Sequence, residues 1–327
     1  MSRFTQAAAT MHTLSLAAME EASRLGVHDA DIDHLLLALT IDADTGGQVL
    51  RRAGIRLDAA RAAVEAQHAG QLLAMGIDAP AVGPGRIIFH ETDGYDWTER
   101  ALAVLRAASQ GGRRGDSAAV LRALLGEPSG LIAAILGRLA VTEDDLTAQL
   151  DEVEGTARSP RPGRKPAARG ITGSRSMFVP AAEAEVRAVL ADAERLPDWE
   201  QSVAAVLPAG EDGPWEAFAP TTAPDGRPLR RKPEFHRLCV MREEEEESGA
   251  LTWRFEYPDA PHANPRVLTM ALEPAAGGTQ LRATMTWETR PRGPVRRALR
   301  TPLLPLWRGL VFIQLAQVES GISRIFR

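Results

Sequence analysis

Two groups of side chains in this chain have the types and spacing that chemistry requires. Glu234 and His236 lie two apart in KPEFHR. On a strand they would share one face, and a carboxylate beside an imidazole can move a proton to or from a molecule held there. Phe235 and Arg237 would then occupy the opposite face. The second group is aromatic: Trp199, Trp253, Phe255, Trp287 and Trp307. Such rings line apolar pockets, and an indole N–H can orient a ligand. The same rings are equally at home in a packed core. Asp198, Glu256, Glu288 and His262, the last in the loop-like PDAPHANP, complete the titratable candidates. The histidines at 12, 28, 34, 68, 90, 236 and 262 show no H-x-x-x-H spacing, and no acidic run has the form of a calcium loop. No metal and no cofactor are therefore expected.

The composition narrows the classes further. The 327 residues favour two domains, and 44% apolar content is enough for real cores. A formal charge of -5 gives no global attraction to nucleic acid, and no helix-turn-helix, zinc or RNA-binding signature accompanies the local basic clusters. One cysteine, Cys239, excludes an intrachain disulfide and fits a reducing cytosol. The N-terminal MSRFTQAAATMHT lacks an apolar signal core, and no run has the length of a membrane span. The expectation is a cytoplasmic protein with no membrane partner.

The elements that must position these residues fall on either side of one segment. Residues 157–173 hold three prolines and the basic side chains Arg158, Arg161, Arg164, Lys165 and Arg169. This composition cannot bury enough apolar surface to offset its ordering entropy, and its prolines favour extended chain. It reads as a linker between residues 1–156 and 174–327. The acidic run Glu243 to Glu247 reads as a solvated hairpin end that its charges could meet.

Before the linker the pattern is helical. Apolar residues recur at helical spacing from Thr5 to Ser23, then in Asp31–Leu39, with Asp31 or Asp33 as cap. Gly46 and Gly47 read as a break before a short third helix, and Leu57–Ala66 as a fourth. The order then repeats over Thr98–Ala108, Ala118–Leu125, Leu131–Leu139 and Glu143–Leu150. Repetition predicts an all-α, pseudo-twofold helical repeat domain. After the linker the pattern changes to strands: Arg175–Val179, Ser202–Leu207, Glu234–Arg242, Leu251–Tyr257, Arg266–Glu273 and Gln280–Thr289. Helices at Ala182–Ala191 and near Leu196 interrupt them, and a long helix over Leu306–Ile325 closes the chain. This predicts an α+β domain in which a curved antiparallel sheet grips the long C-terminal helix.

Two resemblances follow. FTQAAATMHTLSLAAMEEASRLG, then DIDHLLLAL, then GGQVLRRAGI resembles the N-terminal repeat domain of Clp-type AAA+ unfoldases, over roughly residues 3 to 153. Phe4-Thr5 matches its opening and Asp33-His34-Leu35-Leu36 its Glu-His-Leu-Leu signature. Trp97-Thr98 and Ala118 to Leu121 hold the second copy. The resemblance implies docking of a Clp protease component, an adaptor or a peptide substrate, through Phe4, Asp33 and His34. Some members of that family bind phosphoarginine through an acidic residue in each repeat. Ala118 departs from that pattern, since it cannot pair with a guanidinium. The ATPase modules are missing, and no G-x-x-x-x-G-K-[ST] loop occurs. By position alone, Asp33 serves equally as a helix cap and His34 as a packed residue.

VPAAEAEVRAVLADAERLPDWEQSVAAV resembles the START-like polyketide cyclase/dehydrase superfamily with its helix-grip fold. The carriers are Val179-Pro180, Pro197-Asp198-Trp199 and the Gly277-Gly278 turn. That resemblance implies a small hydrophobic or polyketide-like ligand. The leading expectation is a bacterial, non-catalytic adaptor, sensor or decoy that binds peptide or protein in front and an apolar ligand behind. The alternative is a cyclase or dehydrase acting in the rear domain.

Overall fold

The structure is a computed structural model. It describes residues 3–78, 94, 96–110, 115–156, 170–208, 214–223, 226–244, 249–288 and 304–327, with the side chains of 3–9, 244 and 304–306 left out. The chain divides into two compact units, Met1–Pro162 and Gly163–Arg327.

The first unit is helical. Its first four helices are α1 (Arg3–Arg24), α2 (Ile32–Thr40), α3 (Thr45–Arg52) and α4 (Leu57–Ala74). The second series is α5 (Glu99–Ser109), α6 (Ser117–Leu125), α7 (Leu131–Arg138) and α8 (Glu143–Thr156). Two residue pairs, β1 (Asp29–Ala30) and β2 (Asp96–Trp97), run parallel and bring the starts of α2 and α5 side by side. All residues of α2 are buried, so it forms the centre of this core.

Gly46 and Gly47 do not break the chain. They lie inside α3, where a Cβ on Gly46 would stand 2.5 Å from the Ser117 carbonyl oxygen and one on Gly47 2.0 Å from that of Asp42. Only glycine lets α3 approach α6 and its own preceding turn so closely.

The second unit is an antiparallel sheet and a long helix. Its strands are β3 (Gly170–Val179), β4 (Ala205–Val206), β5 (Trp215–Phe218), β6 (Arg237–Glu244), β7 (Leu251–Glu256), β8 (Arg266–Ala275) and β9 (Gly278–Glu288). They stand in the order β3-β9-β8-β7-β6-β5-β4. The helices are α9 (Glu183–Ala191), α10 (Leu196–Trp199) and α11 (Leu304–Ile325). Strict alternation in β7 buries Leu251, Trp253 and Phe255 on the face that packs against the helices. Val311, Leu315, Val318 and Ile322 of α11 close that core from the other side. Gly277, at φ 77°, makes the two-residue turn from β8 to β9 that the glycine pair predicted.

Three further sequence expectations need correction. Residues 170–173 belong to β3 rather than to the linker, because Gly170 to Val179 pair with β9 along their whole length. Strand β5 lies within a stretch whose Gly, Pro and Asp content reads as irregular. Glu234 is not in a strand: Pro233–Phe235 forms one 3-10 turn, and the strand begins at Arg237. The acidic run reaches the described residues only at Glu243 and Glu244, at the end of β6. Residues 245–248, and most of the basic linker, lie outside them.

Candidate ligand site in the second unit

Register lines up one row of side chains across six strands. Trp215 of β5 faces Val240 of β6, Val240 faces Phe255 of β7, and Phe255 faces Arg266 of β8. Arg266 faces Trp287 of β9, and Trp287 faces Ile171 of β3. Five members are apolar or aromatic and the sixth is a buried arginine, 8% exposed. Its guanidinium lies 4.2 Å from the centroid of the Phe255 ring, a cation–π contact in a desolvated place.

The charge is met from α10. Glu200 follows that helix, with its N–H donating to the Leu196 carbonyl at 2.8 Å. Arg266 Nη1 donates to Glu200 Oε1 at 3.3 Å, and Nη2 to Ser202 Oγ at 2.8 Å. The Ser202 N–H donates to the same carboxylate oxygen at 3.1 Å. Glu200 is 3% exposed, so both charges have left water. Such a pair repays its desolvation only when all its polar atoms are satisfied. Here Glu200 Oε2 is buried with no partner among the described residues, as is Nε1 of the adjacent Trp199.

The five aromatic candidates all enter or pack against this one apolar cluster. Their surroundings separate them. Phe255 lies under the Arg266 guanidinium, Trp199 precedes Glu200 in the chain, and Trp287 is the register neighbour of Arg266. Trp287 donates through Nε1 to Gln314 Oε1 at 3.1 Å and meets Trp307 edge-on at 5.6 Å between centroids. Trp253 sits one row away, where its Nε1 donates to the Leu190 carbonyl at 2.9 Å and its ring contacts Trp215 at 5.7 Å. That indole ties the sheet to α9, and its polar atom is used.

Glu234 and His236 stand elsewhere. Pro233 presets the backbone of the 3-10 turn, and His236 Nε2 lies 3.3 Å from the Arg231 carbonyl, to which it can donate. Both residues are half-buried. Phe235, between them, packs edge-on against Tyr257 and His262. The shared strand face that the spacing of the pair predicts is therefore not formed. Glu200, Ser202 and Arg266 were absent from the sequence candidates. One signal for Arg266 was present: it occupies the same parity as Leu268, Met270 and Leu272, where a charge is out of pattern.

In the first unit Asp31 is the cap of α2, and the His34 side chain completes a capping box by accepting the Asp31 N–H at 3.1 Å through Nδ1. Asp31 also pairs with Arg100 and accepts from Thr98 Oγ1 at 2.6 Å. Asp33 is 1% exposed. It accepts from the His34 N–H at 2.8 Å and pairs with His68 Nε2 at 2.9 Å. Burial alone would raise the Asp33 carboxyl, but hydrogen bonds to His34 and His68 hold it well below the ordinary carboxylate range. The same bond raises His68 above its usual value. Asp33 and His34 are thus both buried within this network, and Ala118 and Ala119 are buried at the start of α6. The side chain of Phe4 lies outside the described residues.

Residues 170–317 match the family model for polyketide cyclase / dehydrase and lipid transport. That match falls within the second unit. Among solved structures, the chain is similar to the Zhui aromatase/cyclase from Streptomyces sp. R1128, with 17% identity over 47% of this chain and 94% of that one, TM-score 0.31. It is also similar to the N-terminal domain of the chaperone ClpD from Arabidopsis thaliana, with 20% identity over 45% and 92%, TM-score 0.34. A norcoclaurine synthase mutant from Thalictrum is 13% identical over 50% and 97%, TM-score 0.35. No curated protein matches the sequence.

Proposed function

We propose that this chain joins two binding modules and acts as an adaptor, sensor or decoy. The module after the linker holds a small, mostly apolar ligand. The module of residues 1–156 docks a peptide or protein, of the kind that Clp N-terminal domains engage: a protease component, an adaptor or a substrate. Residues 157–169 tether the two. One observation carries the ligand reading: Arg266, set in an otherwise apolar and aromatic row, is paired with Glu200, whose Oε2 has no partner among the described residues. Sites for small molecules have this make-up, apolar walls with a few placed polar groups.

A second reading has its own support. A buried carboxylate beside a guanidinium can take and stabilise a proton transfer, and residues 170–317 match a family whose description includes cyclases and dehydrases. The second unit would then turn over a polyketide-like molecule.

Native mass spectrometry of the full chain purified from its own host tests both. A co-purified small molecule released unchanged supports binding, and one released with a water lost supports dehydration. A protein without any bound molecule, and without a bound protein partner, overturns the two-module reading.

A further inference from the structure

Arginines elsewhere in the fold meet carboxylates: Arg61 binds Glu21, Arg100 binds Asp31, Arg122 binds Asp151 and Arg254 binds Glu288. One surface segment between β5 and β6 departs from that habit. Residues 226–233, GRPLRRKP, hold Arg227, Arg230, Arg231 and Lys232 and no acid. Arg230 and Lys232 are exposed, and Arg231 is half-buried. None of these three forms an ion pair among the described residues. Glu216 of β5 and Asp259, which follows β7, are both held by Arg237, at 3.6 and 2.7 Å. The acids that bracket the segment in sequence are Asp225, outside the described residues, and Glu234, half-buried in the 3-10 turn.

The backbone of this segment is fixed. Thr222 and Pro228 form a bridge, the Ala223 N–H donates to the Arg227 carbonyl at 2.8 Å, and the Leu229 N–H donates to the Thr221 carbonyl at 2.8 Å. Gly226 turns the chain at φ 79°. Beyond the hairpin, His236 Nε2 reaches the Arg231 carbonyl and Phe235 packs on Tyr257, so the cationic arm is fastened at both ends. Cations held this way lose less freedom on meeting a partner than cations on a loose tether. Beside them Leu229 is 41% exposed. An apolar side chain set against unpaired cations matches a surface with an anionic layer over an apolar one. Nucleic acid supplies the anions without the apolar layer, and residues 226–233 include no aromatic ring to stack on bases.

We infer that the hairpin of residues 221–232 docks the second unit on an anionic lipid surface. Arg230, Arg231 and Lys232 meet the headgroups, and Leu229 enters the boundary beneath them. No helix among the described residues is long and apolar enough to cross a membrane, and a peripheral contact needs none. The chain carries a net charge of -5, so the attraction is local to the hairpin and reversible. This contact is independent of what the second unit holds inside.

The test is flotation of the full chain with vesicles of phosphatidylcholine alone, or of equal parts phosphatidylcholine and phosphatidylserine. The chain should float with the mixed vesicles only, and should be released as salt rises from about 0.1 M to about 1 M. Each cation near an anionic surface strengthens binding roughly fivefold, so replacing Arg230, Arg231 and Lys232 together by Gln should weaken it on the order of a hundredfold. Leu229→Ser should weaken it roughly tenfold. These side chains are surface groups, and unchanged tryptophan emission confirms that each variant is folded. No flotation with mixed vesicles, or equal flotation with both kinds, overturns the inference. Full binding by the triple variant overturns it in favour of another basic segment. Soluble poly-L-glutamate or a DNA duplex bound as tightly as the mixed vesicles, with Leu229→Ser without effect, overturns it in favour of an acidic protein or a nucleic acid.

Discussion

Gly321 of α11 rests against the backbone of Trp199. A Cβ at position 321 would lie 2.3 Å from the Trp199 carbonyl oxygen and 2.9 Å from its Cα. The final helix therefore meets α10 backbone to backbone, and this contact sets the height of Trp199 and Glu200 over the sheet. Gly321→Ala cannot be absorbed by a side-chain shift. It should destabilise the second unit by roughly 1–3 kcal/mol and disturb the Glu200–Arg266 pair. Gly309 on the same helix has no atom within 4 Å of a built Cβ. Gly309→Ala should be neutral or slightly stabilising, since only helix propensity changes. Thermal melts of the two variants check the contrast; equal melting temperatures would refute it.

The buried pair makes a second prediction. Arg266→Met strands the Glu200 carboxylate and should cost about 3–5 kcal/mol. Combining it with Glu200→Leu removes both charges and should recover most of that loss. The readout is built in: of the six tryptophans, only Trp97 precedes the linker, so tryptophan fluorescence in a urea titration follows the second unit. A double variant as unstable as the single one would show that the pair is not the reason.

The first unit should carry a pH signature. His68 is raised above 6.5 by its bond to Asp33, so its contribution to stability is complete below pH 6.5 and is lost as pH rises through the raised value. Asp33 is lowered, so its contribution is complete above pH 3.8 and is lost only in stronger acid. The pair therefore supports the fold most between those limits. His68→Gln should flatten the loss on the alkaline side, measured as helical circular dichroism melts at pH 5.5 and pH 9.

Glu234 and His236 provide the negative control. Both stand at a 3-10 turn, half-buried, and neither is a member of the register row of aromatic residues. His236→Ala and Glu234→Ala should each shift stability by no more than about 0.5–1 kcal/mol and leave unchanged any small molecule that the full chain carries in native mass spectra. Loss of the ligand in either variant would return the pair to the site.

What the residues determined alone was local and periodic. Leu251, Trp253 and Phe255 alternate, so their common face is readable without a fold, because strand side chains repeat every two residues. The helices of the first unit were legible for the same reason at helical period, while the structure chose Asp31 over Asp33 as the cap of α2 and made Thr98 the cap of α5. Tertiary contacts decided the rest. Glu200 and Arg266 are 66 residues apart, and nothing near either names its partner. Gly170 to Gly173 have linker composition, yet Gly173 is in β3, where a Cβ would stand 2.8 Å from Val311 of α11. A glycine demanded by a close approach and a glycine in a free tether are the same letter. Only the packing of α11 on the sheet distinguishes them, and the same packing brings Gly321 against the Trp199 backbone.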